Sequence, residues 1–145
     1  MDNLKDYFSL DHKPNLAIGI NQSIEELQEA SNWIVSEYHL SRISFNRELS
    51  QLLFGKEKAD YSREIISWIS QKINEVLEEP ILLTDIDILF EPTMDLDPLT
   101  LFRQASRNKK LLILWPGEFI NNKLSYAIPE HAHYRNWSKD RKSVV

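Results

Sequence analysis

Three short apolar runs constrain this chain more than any other feature: Asn15 to Ile20 (NLAIGI), Ile81 to Asp85 (ILLTD) and Lys109 to Trp115 (KKLLILW). The first is flanked by Pro14 and Asn21, the second follows Pro80 and ends in a carboxylate, and the third runs into Pro116-Gly117. Compact apolar runs between turn-forming residues read as strands buried on both faces, the kind that builds parallel sheets. What lies between them has helical spacing.

Ser23-Ile24-Glu25-Glu26 has capping-box spacing, with the Ser23 hydroxyl accepting from the Glu26 amide while Glu26 reaches back. A helix is predicted from Ser23 through about Glu37, its apolar stripe made by Ile24, Leu27, Trp33, Ile34 and Tyr38. Arg42 to Phe45 reads as a short strand, because Ile43 and Phe45 alternate with Arg42 and Ser44; Arg47 to Phe54 then turns back as a short helix ending at Gly55. Lys56 to Asp60 is a polar loop. Asp60 can cap a long helix whose Ile65, Ile66, Ile69, Ile73, Val76 and Leu77 share a face, and Pro80 ends it. Asp87 to Asp97 is irregular, after which Asp97 as N-cap and Pro98 as first helical residue start a helix over Leu99 to Arg107. Asn121-Asn122 between Phe119-Ile120 and Leu124-Tyr126 reads as a hairpin. Strands alternating with helices predict βαβ crossovers and a three-layer α/β domain, its sheet mainly parallel until the C-terminal β-hairpin.

At 145 residues and 42% hydrophobic composition, one domain with a genuine core is expected over residues 1–137, followed by a flexible basic tail over 138–145. Zero cysteines exclude disulfides, thiolate metal sites and a cysteine nucleophile, and fit a reducing, cytoplasmic setting. No apolar run approaches the roughly 20 residues that span a bilayer, and Met1 to Leu10 lacks the make-up of an export signal, so no membrane partner is expected. The net charge of −5 opposes non-specific nucleic-acid binding, since backbone affinity comes from Lys and Arg displacing counterions. The basic run Lys139-Asp140-Arg141-Lys142 has no interleaved aromatic and reads as a solvated end.

In open parallel sheets, ligands bind beyond the C-terminal strand ends, which points to Asn21 to Ser23, Asn46, Asp85 with Asp87, and Trp115 to Gly117. Asp85 stands where P-loop NTPases hold Mg²⁺ through a strand-end carboxylate, and Asp87 can place a second charge nearby, although strand-end Asp residues also cap loops or pair with Arg. A phosphate loop needs glycines for close backbone approach and a Lys for the β/γ-phosphates; after the first strand stand Asn21, Gln22 and Ser23 instead, with Glu25 and Glu26 in the first helical turn to repel an anion. His131 and His133 with Glu130, and with His12 or His39 as further candidates, could form a metal site, and an exposed loop is the plainer reading of it. Ser44 and Ser125 lack an evident His–acid relay. Trp115 and Phe119, with Tyr126, Tyr134 and Trp137, fit core packing and an exposed partner-binding patch equally well.

The stretch LLTDIDILFEPTMDLDPLTLFRQASRNKKLLILWPG, continued by KLSYAIPEHAHYRNW, resembles the C-terminal half of the BrxF family of small P-loop proteins from BREX bacteriophage-defence systems. The resemblance covers about Ser41 to Trp137, and DILFEP, LDPL, SRNKKLLILWPG and YAIPEHAHY are its most specific parts. It implies a reduced P-loop NTPase fold working beside larger defence components that modify host DNA and block phage replication. Asp85 or Asp87 carries over as the acidic strand-end group. No residue matches the phosphate-loop Lys or Ser/Thr, so ATP hydrolysis does not carry over.

Three functions are therefore open. The first is a non-catalytic, pseudo-ATPase adaptor that binds other defence-system proteins, with homo-oligomers also allowed and no cofactor expected. The second is an NTPase with an atypical loop that binds ATP and uses Asp85 or Asp87 for Mg²⁺. The third is a nucleic-acid-associated factor using Arg103, Arg107, Lys109 and Lys110 as a local basic patch.

Overall fold

A computed structural model describes residues 15–127 and 133–138 of the chain. Six strands form one mixed sheet: β1 (Leu16–Asn21), β2 (Arg42–Ser44), β3 (Ile81–Thr84), β4 (Leu111–Ile120), β5 (Lys123–Tyr126) and β6 (Arg135–Ser138). Four α-helices accompany them, α1 (Ile24–Tyr38), α2 (Phe45–Leu53), α3 (Tyr61–Glu75) and α4 (Pro98–Ala105), with short 3₁₀ turns at Lys58–Asp60, Asp87–Phe90 and Pro92–Met94. The first four strands run parallel in the order β2-β3-β4-β1, whereas β5 and β6 add antiparallel pairings.

Strand alternation sorts the apolar runs onto two faces. Leu16, Ile18, Ile81, Leu83, Leu111, Ile113 and Trp115 point to the side covered by α2, α3 and α4, while Ala17, Leu82, Leu112 and Leu114 point to the side where Ile34 of α1 packs. The result is three layers. From β1 the chain crosses to the far edge at β2 over α1, then returns through β3 to β4 over the opposite face. Reversing direction and face together keeps every crossover of one hand, as the right-handed rule for parallel strands requires.

Two of the predicted stripes are narrower in the structure. On α1, Leu27, Ala30, Ile34 and Tyr38 meet the sheet, whereas Ile24 and Trp33 each stay 47% exposed: Trp33 lies a step around the helix from Ile34, and Ile24 lies in the first turn. On α3, Ile65, Ile69 and Ile73 are buried, but Ile66 faces outward and Leu77, beyond the helix end at Glu75, is 88% exposed. Counting every apolar residue at three- or four-residue steps overstates a face that only one step in the turn can occupy. Asp60 ends the 3₁₀ turn and pairs with Arg63 at 3.0 Å, with no side-chain cap on α3, and Phe45 opens α2 and does not continue β2.

The largest departure is at Pro116-Gly117. These residues do not stop β4, which runs ten residues to Ile120. Ile81 N donates to Lys110 O and Ala127 N donates to Pro116 O, so β3 and then β5 occupy successive parts of the same edge of β4. Pro116 falls at the changeover, where its missing N–H leaves no ladder bond unmade. Gly117 follows because a Cβ there would sit 1.8 Å from Ser125 O. The connection to β5 is Asn121-Asn122 with both φ positive, 54° and 61°, the two-residue geometry whose twist suits an antiparallel ribbon.

Ser138 belongs to β6, whereas the remainder of the basic tail, 139–145, and the leader lie outside the described residues. Among the described residues no helix is long and apolar enough to cross a membrane.

Candidate functional site

A cleft of about 270 Å³ opens at the C-terminal ends of the parallel strands, between them and α1. Its floor carries Ser44 from the end of β2, Thr84 from the end of β3, and Asp85 and Asp87 from the turn that follows. Gln28, Ser31 and Asn32 descend from α1, Arg42 stands at the start of β2, and Ile24, Leu27, Leu114 and Pro116 make the apolar wall. A parallel pairing with Ser44 opposite Thr84 brings these distant sequence positions together.

Asp85 sits at the centre of the polar group. Its φ of 54° is left-handed, a region that Asp enters more readily than most residues, and this turns the chain sharply out of β3. The Ser44 hydroxyl and the Thr84 hydroxyl, at 3.3 Å, both donate to its Oδ2. Asn46 does not reach the cleft; its Oδ1 accepts from Ile88 N at 3.0 Å and fixes the 3₁₀ turn that carries Asp87. Asp87 Oδ2 in turn accepts from the Tyr126 hydroxyl at 3.4 Å. Burial first, and then the neighbouring Asp87 and Glu91 carboxylates, pushes the Tyr126 hydroxyl from 10.0 up to about 12. Across the cleft, the Arg42 guanidinium donates to Ser31 Oγ at 2.9 Å and Asn32 Oδ1 at 3.2 Å.

The turn after β1 lies beside this cleft, and its own side chains occupy it. Ser23 Oγ accepts from Glu26 N at 3.2 Å, the expected cap. The reciprocal half of the capping box differs from expectation: Ser23 N donates to Asn21 Oδ1 at 2.8 Å, so Asn21 fills the role assigned to Glu26. Asn21 and Ser23 thus serve the backbone of the turn, while Gln22 is exposed. Two N–H groups of the helix entrance are engaged, and Glu25 and Glu26 add negative charge there.

Trp115 and Tyr126 belong to the core, with Phe119 and Trp137 packed against it. Trp115 is fully buried and donates Nε1 to Ser125 O at 3.0 Å; Phe90 stacks on Tyr126 with centroids 4.0 Å apart and meets Trp115 edge-on at 5.1 Å, while Trp137 closes on Trp115 at 5.3 Å. Trp115 and Tyr126 are therefore withdrawn from the expected exposed patch of Trp115, Phe119, Tyr126, Tyr134 and Trp137. The period-two series Leu111, Ile113, Trp115 carries the indole inward, and only Phe119, Tyr134 and Trp137 keep partial exposure. The basic patch is likewise consumed in part: Lys109 Nζ donates to Val76 O, and Lys110 is buried with its amide on Glu79 Oε1 at 2.6 Å. Ser125 Oγ donates to Glu118 O, with no histidine relay among its described bonds. His12, Glu130 and His131 lie outside the described residues, His39 ends α1 in a left-handed turn, and among the described residues no three metal-ligating side chains gather.

Thr84, Gln28, Ser31, Asn32 and Arg42 are site residues that sequence reasoning did not single out. The signal for two of them was present, since Ser31 and Asn32 interrupt the apolar stripe of α1 with polar groups. No family model, curated protein or solved structure matches this chain.

Proposed function

We propose that the chain is a non-catalytic, P-loop-like subunit of a BREX-type bacteriophage-defence assembly that acts through protein–protein contacts. The assignment to the assembly rests on the sequence resemblance; the non-catalytic part rests on one observation in the fold. At the turn after β1, where a P-loop protein cradles phosphates on backbone N–H groups, Asn21 and Ser23 side chains already hold the N–H groups of Ser23 and Glu26, and two carboxylates follow. A triphosphate would have to displace both bonds and approach like charge, with no loop Lys to offset it. The strand-end acid that the resemblance implies is matched by Asp85 or Asp87, at a cleft of about 270 Å³, the lower edge of the roughly 300–1,000 Å³ usual for drug-sized ligands.

Purification of the tagged chain from its native locus tests this reading. A stable, stoichiometric complex with the product of a neighbouring gene is expected. Recovery of the lone chain under mild salt would count decisively against it.

A further inference from the structure

We propose that the cleft around Asp85 is a socket for a single basic side chain, an Arg or Lys, presented by the partner protein. The inference deepens the adaptor reading and rests on it for the source of the cation.

The chemistry of the lining selects the occupant. Among the described residues the lining carries two carboxylates, Asp85 and Asp87, and one cation, Arg42, within a chain of net charge −5. Arg42 makes no ion pair with Asp85; its guanidinium donates to Ser31 and Asn32 instead. Asp85 accepts from two hydroxyls, both on Oδ2, and pairs with no cation among the described residues. Oδ1 is thus left as an acceptor in a partly buried setting, where a charge-assisted bond is stronger than in open solvent. The opposite wall is aliphatic: Ile24, Leu27, Leu114 and Pro116 suit the methylene stem of a long cationic side chain, which buries its stem while its head seeks a carboxylate.

Size and exposure agree. A cleft of about 270 Å³ has room for one long side chain. Ile24, in the first turn of α1, is 47% exposed at the cleft and leaves an apolar lip for a partner to close over. A buried Arg anchored between carboxylate and aliphatic wall is the type of contact that dominates protein interfaces.

The test has two arms on the full chain. In the first, agmatine, an alkyl guanidinium, is titrated against the ¹⁵N-labelled protein, with MgCl₂ as comparator. Saturable shifts confined to Ser44, Thr84, Asp85 and Asp87 are expected, weakened about tenfold in Asp85→Asn and unchanged in Glu29→Gln, an exposed acid outside the cleft. Asn tolerates the left-handed backbone and still accepts from Ser44, so the variant should keep its fold. Absent saturation, equal loss in both variants, or tighter Asp85-dependent shifts with Mg²⁺ alone would each overturn the socket. In the second arm, Asp85→Asn is carried into the native-locus purification. Loss of the complex with Glu29→Gln unaffected supports a partner side chain as the occupant; a complex of undiminished stability removes that assignment. Agmatine binding without any native complex would refute the adaptor reading while leaving the cation chemistry of the cleft standing.

Discussion

Replacing Gly117 by Ala should damage the protein far more than the same change at Gly19. A Cβ on residue 117 would stand 1.8 Å from Ser125 O and 2.8 Å from Ser125 C, so an ordinary contact of 3.4 Å requires the carbonyl oxygen to retreat by 1.6 Å (3.4 minus 1.8). That oxygen is also the acceptor for the buried Trp115 indole at 3.0 Å, and a movement of this size breaks the bond. Overpacking costs about 1–3 kcal/mol, and an orphaned buried donor about 1–3 kcal/mol more. The expected loss is therefore roughly 2–6 kcal/mol, a large share of the roughly 5–15 kcal/mol typical of a domain. At Gly19 the nearest atom is the Leu114 Cδ2 methyl at 3.2 Å, the movable end of a side chain, and Ala removes about 0.5–1 kcal/mol of glycine's entropic handicap in a strand, so the net change should lie within about 1 kcal/mol. Urea unfolding followed by tryptophan fluorescence reads both variants: with a slope of about 1–3 kcal/mol per molar, Gly117→Ala should lower the midpoint by roughly 0.7 molar or more. A midpoint shift no larger than that of Gly19→Ala would refute the account of why β4 carries glycine at the point where β5 joins it.

Three further outcomes follow from individual side-chain contacts. The Tyr126 hydroxyl holds its proton up to about 12, against 10.0 when unfolded, so its stabilising contribution is complete below pH 10 and is lost as pH rises towards 12. Measured across that window, the stability of the native chain should fall relative to Tyr126→Phe; parallel curves would contradict the burial and Asp87 contact assigned to it. Asp97→Ala removes the cap on Leu99 N and Thr100 N and the acceptor of Trp137 Nε1, for an expected loss of roughly 2–3 kcal/mol that Asp97→Asn largely restores. Ser23→Ala should lower stability by about 1 kcal/mol, and Ser23→Gly by only a few tenths, as thermal unfolding can show.

Local signals in the sequence were legible because their causes are local. Ser23 and Asp97-Pro98 start helices through side chains two or three residues from their targets, and Asn121-Asn122 turns the chain through the left-handed conformations that Asn tolerates. The strand interiors read equally well, since burial on both faces leaves an unbroken apolar run. Pro116-Gly117 misled because breaker logic treats a strand as having one partner on each edge; here β3 gives way to β5 along the same edge, a fact of topology that no local window contains. Trp115 was legible in principle, because its parity with Leu111 and Ile113 assigns it to the core, yet its chemistry suits an interface as well. The site was half visible. Asp85 stands out as a carboxylate ending an apolar strand, whereas its meeting with Ser44 depends on the register of β2 against β3, across 41 residues of sequence.

The most direct test of a closed phosphate site is a thermal-shift titration of the purified full chain with Mg²⁺ and ATP. A ligand at 100 times its dissociation constant stabilises its target by about 2.7 kcal/mol, so binding even in the tens of micromolar would register clearly at millimolar ATP. No ATP-dependent shift is expected, in the native chain or in Asp85→Ala. A saturable stabilisation that disappears in Asp85→Ala would contradict the adaptor reading and restore a nucleotide to the strand-end carboxylate.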